Sequence, residues 1–272
     1  TMKIVSFNVN GIRARMHQLE AIKQKLKADV LGLQEVKAMP DQLPFKEIEA
    51  LGWHTEVYSQ KAHYGVATLS VDKPLCVQKG FPADDEDSQK RFIHTSHQTP
   101  NGEVLHIING YFPQGENRSH EIKFPAKQKY YADLLAYLEN EFKPSDNIIV
   151  MGDINVAPID DDIGIGEVNA KRWLKTGKCA FLPEEREWVQ KLLDWGLSDS
   201  YRLLNPTIND RFSWFDYRSK GFEDTPKRGL RIDLIMISKP LIERLVNAGI
   251  DYETRGMEKP SDHAPIFIEL DY

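Results

Sequence analysis

The chain has 272 residues, 41% of them hydrophobic and 28% charged, with 35 Lys and Arg against 41 Asp and Glu for a formal charge of −6. That balance excludes disordered and collagen-like classes and argues against a non-specific polyanion binder, while a chain of this size buries roughly 70–75% of its unfolded surface in one large core or two small ones. Only Cys76 and Cys179 are present, and no uncharged apolar run approaches the ~20 residues of a membrane helix, so a reducing cytoplasm is the expected compartment.

Lys3 to Val9 (KIVSFNV) is an apolar run that reads as a buried strand and ends among Asn8 and Asn10. Arg15 to Ala28 carries Leu19, Ile22 and Leu26 on one helical stripe, and Val30 to Leu33 is a second strand that runs into Glu35. Val104 to Tyr111 predicts a third strand, and Phe124 to Phe142 a helix with Tyr131, Leu134, Leu135 and Leu138 on its face. Asn147 to Met151 then leads into Gly152-Asp153-Ile154-Asn155. Glu184 to Trp195 predicts a helix opened by Pro183. Arg231 to Ile237 is a strand with Asp233 inside it, and Ala264 to Leu270 is the last, preceded by Ser261-Asp262-His263. Strands and helices alternate without strict βαβ regularity, which predicts mixed α/β architecture with more than one packed sheet. No linker or repeat divides residues 1–272, so one domain is expected. One echo stands out: Ile4 to Asn10 resembles Ile149 to Val156.

Most of these strands end in groups able to bind a metal or a phosphate, which is what a composite site beyond strand ends looks like. Taken singly, Glu35 is also a solvated loop carboxylate, Gly152 to Asn155 a turn, and Ser261 to His263 a cap. Asp233 is more informative. A carboxylate between Ile232 and Leu234 is costly to bury without a partner, for which His263 is the candidate; otherwise it faces solvent. Phosphodiester hydrolysis unites the set, since it needs a divalent cation on the phosphate, a base for the water and a means to stabilise the leaving oxygen. Glu35 and Asn8 are hard oxygen ligands suited to Mg²⁺, and no Cys/His cluster has zinc spacing.

The order N-x-N, LQE-x-K, NGYFP, GD-x-N, RIDL and SDH resembles the endonuclease/exonuclease/phosphatase superfamily. Longer stretches, including HYGVA at His63 to Ala67, INGYFPQGE at Ile108 to Glu116, KRWLKTGK at Lys171 to Lys178, DRFSWFDYRSKGF at Asp210 to Phe222 and MEKPSDHAP at Met257 to Pro265, resemble its abasic-site endonuclease family on the bacterial exonuclease III branch. The resemblance covers nearly the whole chain and implies a four-layer α/β sandwich, two face-to-face mixed β-sheets flanked by helices. It assigns Asn8, Asn10, Glu35 and Asp262 to the metal side, with Mg²⁺ as the ion and Mn²⁺ as its substitute. It assigns Asp153 to polarising the attacking water and Asn155 to positioning it. It sets His263, paired with Asp233, on the scissile phosphate as base or electrostatic stabiliser, and Tyr111 on the same phosphate. Trp214, Phe215, Leu230 and Ile232 match a pocket for a flipped-out abasic deoxyribose, and Lys171, Arg172, Lys175 and Lys178 a DNA-contacting loop.

The expected function is therefore a Mg²⁺-dependent repair nuclease, a monomer acting on duplex DNA and not on membranes. It would incise 5′ to abasic sites, degrade 3′ to 5′ and clean 3′ ends. The alternatives are a superfamily phosphatase for inositol phosphates or lipids, which should lack KRWLKTGK and the aromatic pocket, and a non-catalytic DNA-binding protein. Two departures from the family pattern are Val36, where Thr is common, and GFEDTPKR at Gly221 to Arg228, about two residues longer than expected.

Overall fold

A computed structural model describes residues 1–272. Its apolar runs assemble into two six-stranded mixed sheets. The first contains β1 (Met2–Asn8), β2 (Val30–Gln34), β3 (His54–Tyr58), β4 (Val66–Ser70), β13 (Leu245–Ile250) and β14 (Ile266–Leu270), in the order β13-β14-β1-β2-β4-β3. The second contains β5 (Cys76–Lys79), β6 (Phe92–Gln98), β7 (Val104–Tyr111), β8 (Ile148–Asp153), β10 (Leu197–Asp199) and β12 (Asp233–Ser238), in the order β10-β12-β8-β7-β6-β5. A short ribbon pairs β9 (Ile163–Gly164) with β11 (Gly229–Leu230).

Alternation along each strand sorts the side chains into layers. Ile4, Val30, Ile107, Ile149, Met151, Ile235 and Ile268 turn inward and fill the space between the sheets. Val5, Phe7, Leu31, Leu33 and Leu69 turn outward beneath α1 (Met16–Lys25) and α2 (Phe45–Ala50). On the other side Phe92, Ile108, Val150, Leu234 and Met236 lie beneath α3 (Lys123–Glu141) and α5 (Pro183–Trp195). The result is the expected helix–sheet–sheet–helix sandwich. Each fully buried aliphatic or aromatic side chain contributes roughly 1.5–3 kcal/mol, so these layers hold the two sheets rigidly against each other. The short helices α6 (Ser200–Leu204), α7 (Lys239–Ile242) and α8 (Tyr252–Arg255) complete the outer shell. By contrast α4 (Glu167–Thr176) has no buried residue and stops at Gly177, whose φ of 77° suits a glycine cap.

Several expectations shift at their edges, among them the Ala264 run, whose strand starts at Ile266, and the Arg15 to Ala28 stripe, which is helical over Met16–Lys25. The Arg231 run enters its strand only at Asp233, and the Asn147 run continues to Asp153. Strands β3 and β5 gave no apolar signal because one is half-buried and the other exposed throughout. The echo between Ile4–Asn10 and Ile149–Val156 has a structural counterpart. β1 is flanked by parallel β2 and antiparallel β14, and β8 by parallel β7 and antiparallel β12. The two strands hold matching places in the two sheets.

At one end of the sandwich the filling between the sheets turns polar. Gln34 Nε2 donates to Ser6 Oγ at 3.1 Å and to Asn109 Oδ1 at 2.8 Å, and Asn109 Nδ2 donates to the Ala67 carbonyl at 3.0 Å. Gly152 closes this end. Its φ is 143°, and a Cβ there would lie 1.9 Å from the Gly110 carbonyl oxygen, so only glycine lets β7 and β8 meet before Asp153.

Candidate active site

The polar end opens into a cleft of about 580 Å³ whose wall includes Glu35, Tyr111, Asp153, Asn155, Asp262 and His263. Strand register explains the convergence. Asn8 pairs with Gln34 across β1 and β2, Tyr111 with Asp153 across β7 and β8, and Asp153 with Asp233 across β8 and β12. Asn10, Glu35, Lys37 and Asn155 all have positive φ, between 44° and 56°, so the chain turns sharply just past the strand ends. Backbone strain of this kind collects at functional sites.

On one side of the cleft floor is a dyad. His263 Nδ1 donates to Asp233 Oδ2 at 2.8 Å, and its Nε2 lies 3.5 Å from Asp153 Oδ2. Asp233 is 2% exposed, which excludes the solvent-facing reading. Burial pushes the Asp153 carboxyl up to about 7, although His263 pulls it down. For His263 burial disfavours the charged ring, but Asp233 and Asp153 outweigh it and raise the imidazolium to about 10. Burial and the Glu35 charge hold the Tyr111 phenol far above its ordinary range, so it stays a donor, and its hydroxyl donates to Glu35 Oε1 at 3.0 Å.

Opposite the dyad are the oxygens expected to face a metal. Glu35 Oε2 and Asn10 Oδ1 converge on the Lys37 ammonium at 3.0 and 2.7 Å, so they already share one cation, and Lys37, with Asn8, keeps Glu35 ionised against its burial. Asn10 Nδ2 donates to Asp262 Oδ1 at 3.2 Å. This hard-oxygen set fits a divalent cation such as Mg²⁺. Asn8, expected on the same side, holds two carboxylates together. Its Nδ2 donates to both Asp153 Oδ2 at 2.9 Å and Glu35 Oε1 at 3.1 Å, and its Oδ1 accepts from the Asn10 N–H, so it bridges two carboxylates. Asp153, Asp233 and His263 also lie close enough to hold an ion. As an imidazolium the ring has no lone pair to offer a metal, so this trio is described as an ion-paired triad.

Other expectations divide. Trp214, Leu230 and Ile232 line the cleft, but Phe215 does not. Its ring is fully buried among Phe212, Phe222 and Tyr252, because neighbouring residues of an extended segment point to opposite sides. Trp214 Nε1 donates to Asp262 Oδ2 at 3.2 Å, which joins this pocket to the metal side. Of the basic residues, Arg172 and Lys178 line the cleft with Trp173 between them, and Lys178 stands 4.2 Å over the Trp173 ring. Lys171 instead pairs with Glu167 at 3.0 Å and lines a separate depression behind α4, and Lys175 lines neither. Lys171, Arg172 and Lys175 lie on α4 and so spread around its axis, and Lys178 follows the Gly177 cap.

Of the two departures, Val36 is fully buried, where an apolar side chain costs nothing. The GFEDTPKR segment sets Arg228 on the cleft wall, bonded to Asp224 at 2.7 Å. Sequence reading missed the parts played by Lys37, Ser213 and Arg231. Lys37 lay inside LQEVK and was legible as a charge two residues from Glu35. Ser213 Oγ accepts from both the Ile232 and Asp233 N–H groups at 3.0 Å, and nothing local announced it. Arg231 is buried on Asp162 and Asp199, and Asp162 is itself fully buried.

The chain matches the endonuclease/exonuclease/phosphatase family over residues 5–263. It is 59% identical to exodeoxyribonuclease III of Haemophilus influenzae over 99% of this chain and 100% of that protein. Its fold is similar to a 3′ phosphatase from Neisseria solved bound to product DNA hairpin, with TM-score 0.88, 34% identity and 100% of both chains covered. It is likewise similar to an AP endonuclease from Archaeoglobus fulgidus, with TM-score 0.89, 31% identity and 100% of both chains covered.

Proposed function

Because the chain belongs to the endonuclease/exonuclease/phosphatase family and is a DNA repair nuclease of the exodeoxyribonuclease III type, we propose that this cleft hydrolyses duplex DNA 5′ to abasic sites and removes nucleotides and blocking groups from 3′ ends. The observation that carries the reading is the Asp153–His263–Asp233 ion-paired triad, set between an acidic wall and an apolar pocket.

Asp153, whose carboxyl burial raises above the ordinary carboxylate range, is the base: it accepts the proton of the attacking water while Asn155 positions that water. His263 is cationic and held by Asp233, so it neutralises the phosphate rather than taking a proton. Tyr111 gives the phosphate a hydrogen bond. Glu35, Asn10 and Asp262, with Asn8 steering Glu35, would hold Mg²⁺ or Mn²⁺, which supplies charge neutralisation for the phosphate and the leaving oxygen. Trp214, Leu230 and Ile232 receive the extruded deoxyribose. Extrusion is cheapest where pairing is already lost, which favours lesions. Arg172, Trp173 and Lys178 take the DNA backbone and groove, which an inositol-phosphate or lipid phosphatase would not need.

Residues 1–272 act as one domain and as a monomer in this reading. Two free thiols support a reducing compartment, the cytoplasm, and no helix is long and apolar enough to cross a membrane. A labelled duplex with one abasic site tests the proposal. Incision 5′ to the site is expected with Mg²⁺ and none with EDTA, and an intact duplex alongside hydrolysis of an inositol phosphate would favour the phosphatase reading instead.

A further inference from the structure

Lys127 of α3 and Glu185 of α5 form an ion pair beneath the cleft, and both side chains are fully buried. A buried pair is weak evidence of stabilisation, because desolvating two charges cancels much of their attraction. Its remaining contacts point to the cleft. Lys127 Nζ donates to the Asn155 carbonyl at 2.8 Å and to the Gln114 carbonyl at 3.2 Å, and both residues line the cleft wall. Glu185 Oε1 accepts from the Leu182 N–H at 3.0 Å, which ties down the segment leading out of α4. Three segments that reach the cleft thus end on one ammonium and its counter-ion.

Asn155 is the residue under control. Its φ of 54° lies in the left-handed region, which asparagine tolerates better than most residues and which its hydrogen bonds fix here. Its N–H donates to Asp153 Oδ1 at 3.1 Å, its Nδ2 donates to the Phe112 carbonyl at 2.7 Å, and its own carbonyl accepts from Lys127. Those bonds leave Oδ1 without a protein partner at the cleft wall. Without Lys127 the Asn155 carbonyl would be buried with no donor, and the peptide could relax toward an ordinary φ, swinging Oδ1 away. A lysine suits the place because one nitrogen carries three donors, enough for two carbonyls and a carboxylate. The space is fitted to its stem, since a Cβ on Gly115 would lie 2.9 Å from Lys127 Cδ.

We propose that Lys127, neutralised by Glu185, is a positioning residue that locks the left-handed peptide of Asn155 and so aims Asn155 Oδ1 at the attacking water. The proposal rests on the reading of Asn155 given above. The test compares two variants on an abasic duplex in Mg²⁺. Glu185→Gln alone keeps the lysine nitrogen with N–H donors for both carbonyls and keeps the acceptor for Leu182, so it should lose thermal stability while kcat stays within threefold. Lys127→Met combined with Glu185→Gln leaves no buried charge but removes the donor. Its kcat should fall 10–100-fold with KM within threefold, and the ¹H–¹⁵N signals of the Asn155 side-chain amide should shift. If that variant does not fold, Lys127→Gln with Glu185→Gln retains one donor and should show an intermediate kcat. Unchanged kcat and unchanged Asn155 signals in a folded variant lacking the ammonium would overturn the proposal. So would failure of both double variants to fold, which would assign the pair to stability alone. An Asn155→Ala variant with full kcat would instead sink the reading of Asn155, which separates the two failures.

Discussion

Asp233 has one compensating contact for a fully desolvated charge: its Oδ1 has no hydrogen-bond partner, and Oδ2 meets His263 at 2.8 Å. The dependence is mutual, since the same contact is a main cause of the raised imidazolium. A raised histidine is protonated below its folded value, so the cation is present up to about pH 10 and lost above it. Asp233→Asn should move the His263 titration down toward the ordinary 6.5 and bring the alkaline fall of kcat to lower pH with it. An NMR titration that leaves the ring unchanged would show that the carboxylate does not hold it. On the acidic wall, Glu35→Ala removes the one carboxylate that Asn8, Lys37 and Tyr111 all orient. Turnover should drop by orders of magnitude, on the order of 10²-fold or more, while duplex affinity stays near that of the parent, because Lys and Arg contacts to phosphate carry binding. Near-normal cleavage by this variant in limiting Mg²⁺ would remove Glu35 from the metal site.

At the scale of elements, α4 decides how much of the basic segment can touch DNA. With a 3.6-residue turn, Lys171 and Lys175 share one face and Arg172 another, and only Arg172 and Lys178 reach the cleft. Neutralising Arg172 and Lys178 together should flatten the slope of log K against log [salt] by about 2, at roughly 0.9 per lost phosphate contact. Neutralising Lys171 and Lys175 should change it by less than about 1. Equal slopes for the two double variants would mean that the helix binds DNA through its whole circumference. The sequence announced α1, α3 and α5 because each lays a periodic apolar stripe on a sheet, whereas α4 buries nothing and was read as a loop. The polar edge strands escaped notice for the same reason.

The whole sandwich also carries a dependence on pH that the cleft does not use. His94 and His97 on β6 are both lowered to about 4, chiefly by burial. His94 Nε2 meets His106 Nδ1 at 3.0 Å, and Tyr137 Oη takes its other nitrogen at 2.7 Å. Because the folded values lie below the unfolded 6.5, the unfolded chain binds protons first as the solution acidifies. The contribution of these two rings is therefore complete above about pH 6.5 and lost as pH falls toward 4, by about 2 kcal/mol per ring at pH 5. Urea midpoints at pH 7.5 and 5 should differ accordingly, and a variant with both rings replaced by Gln should lose most of that difference. An equal acid loss in that variant would place the sensitivity elsewhere.

What the chain's linear order determined was whatever neighbouring residues decide among themselves. Apolar runs became strands, stripes became helices, and NGYFP, GDIN and SDH marked strand ends that do open into one cleft. Only tertiary structure decided what each end meets there. Asn8 became a bridge because β1 and β8 face each other across 145 residues of sequence. Phe215 went to the core while Trp214 took the cleft, since alternation gives a side chain a direction but the fold chooses which side is open. Lys127 reached Asn155 and Glu185 because α3 and α5 pack over the same sheet. Contacts of this kind are made between elements and are selected by the packing of both, so no window of sequence contains them.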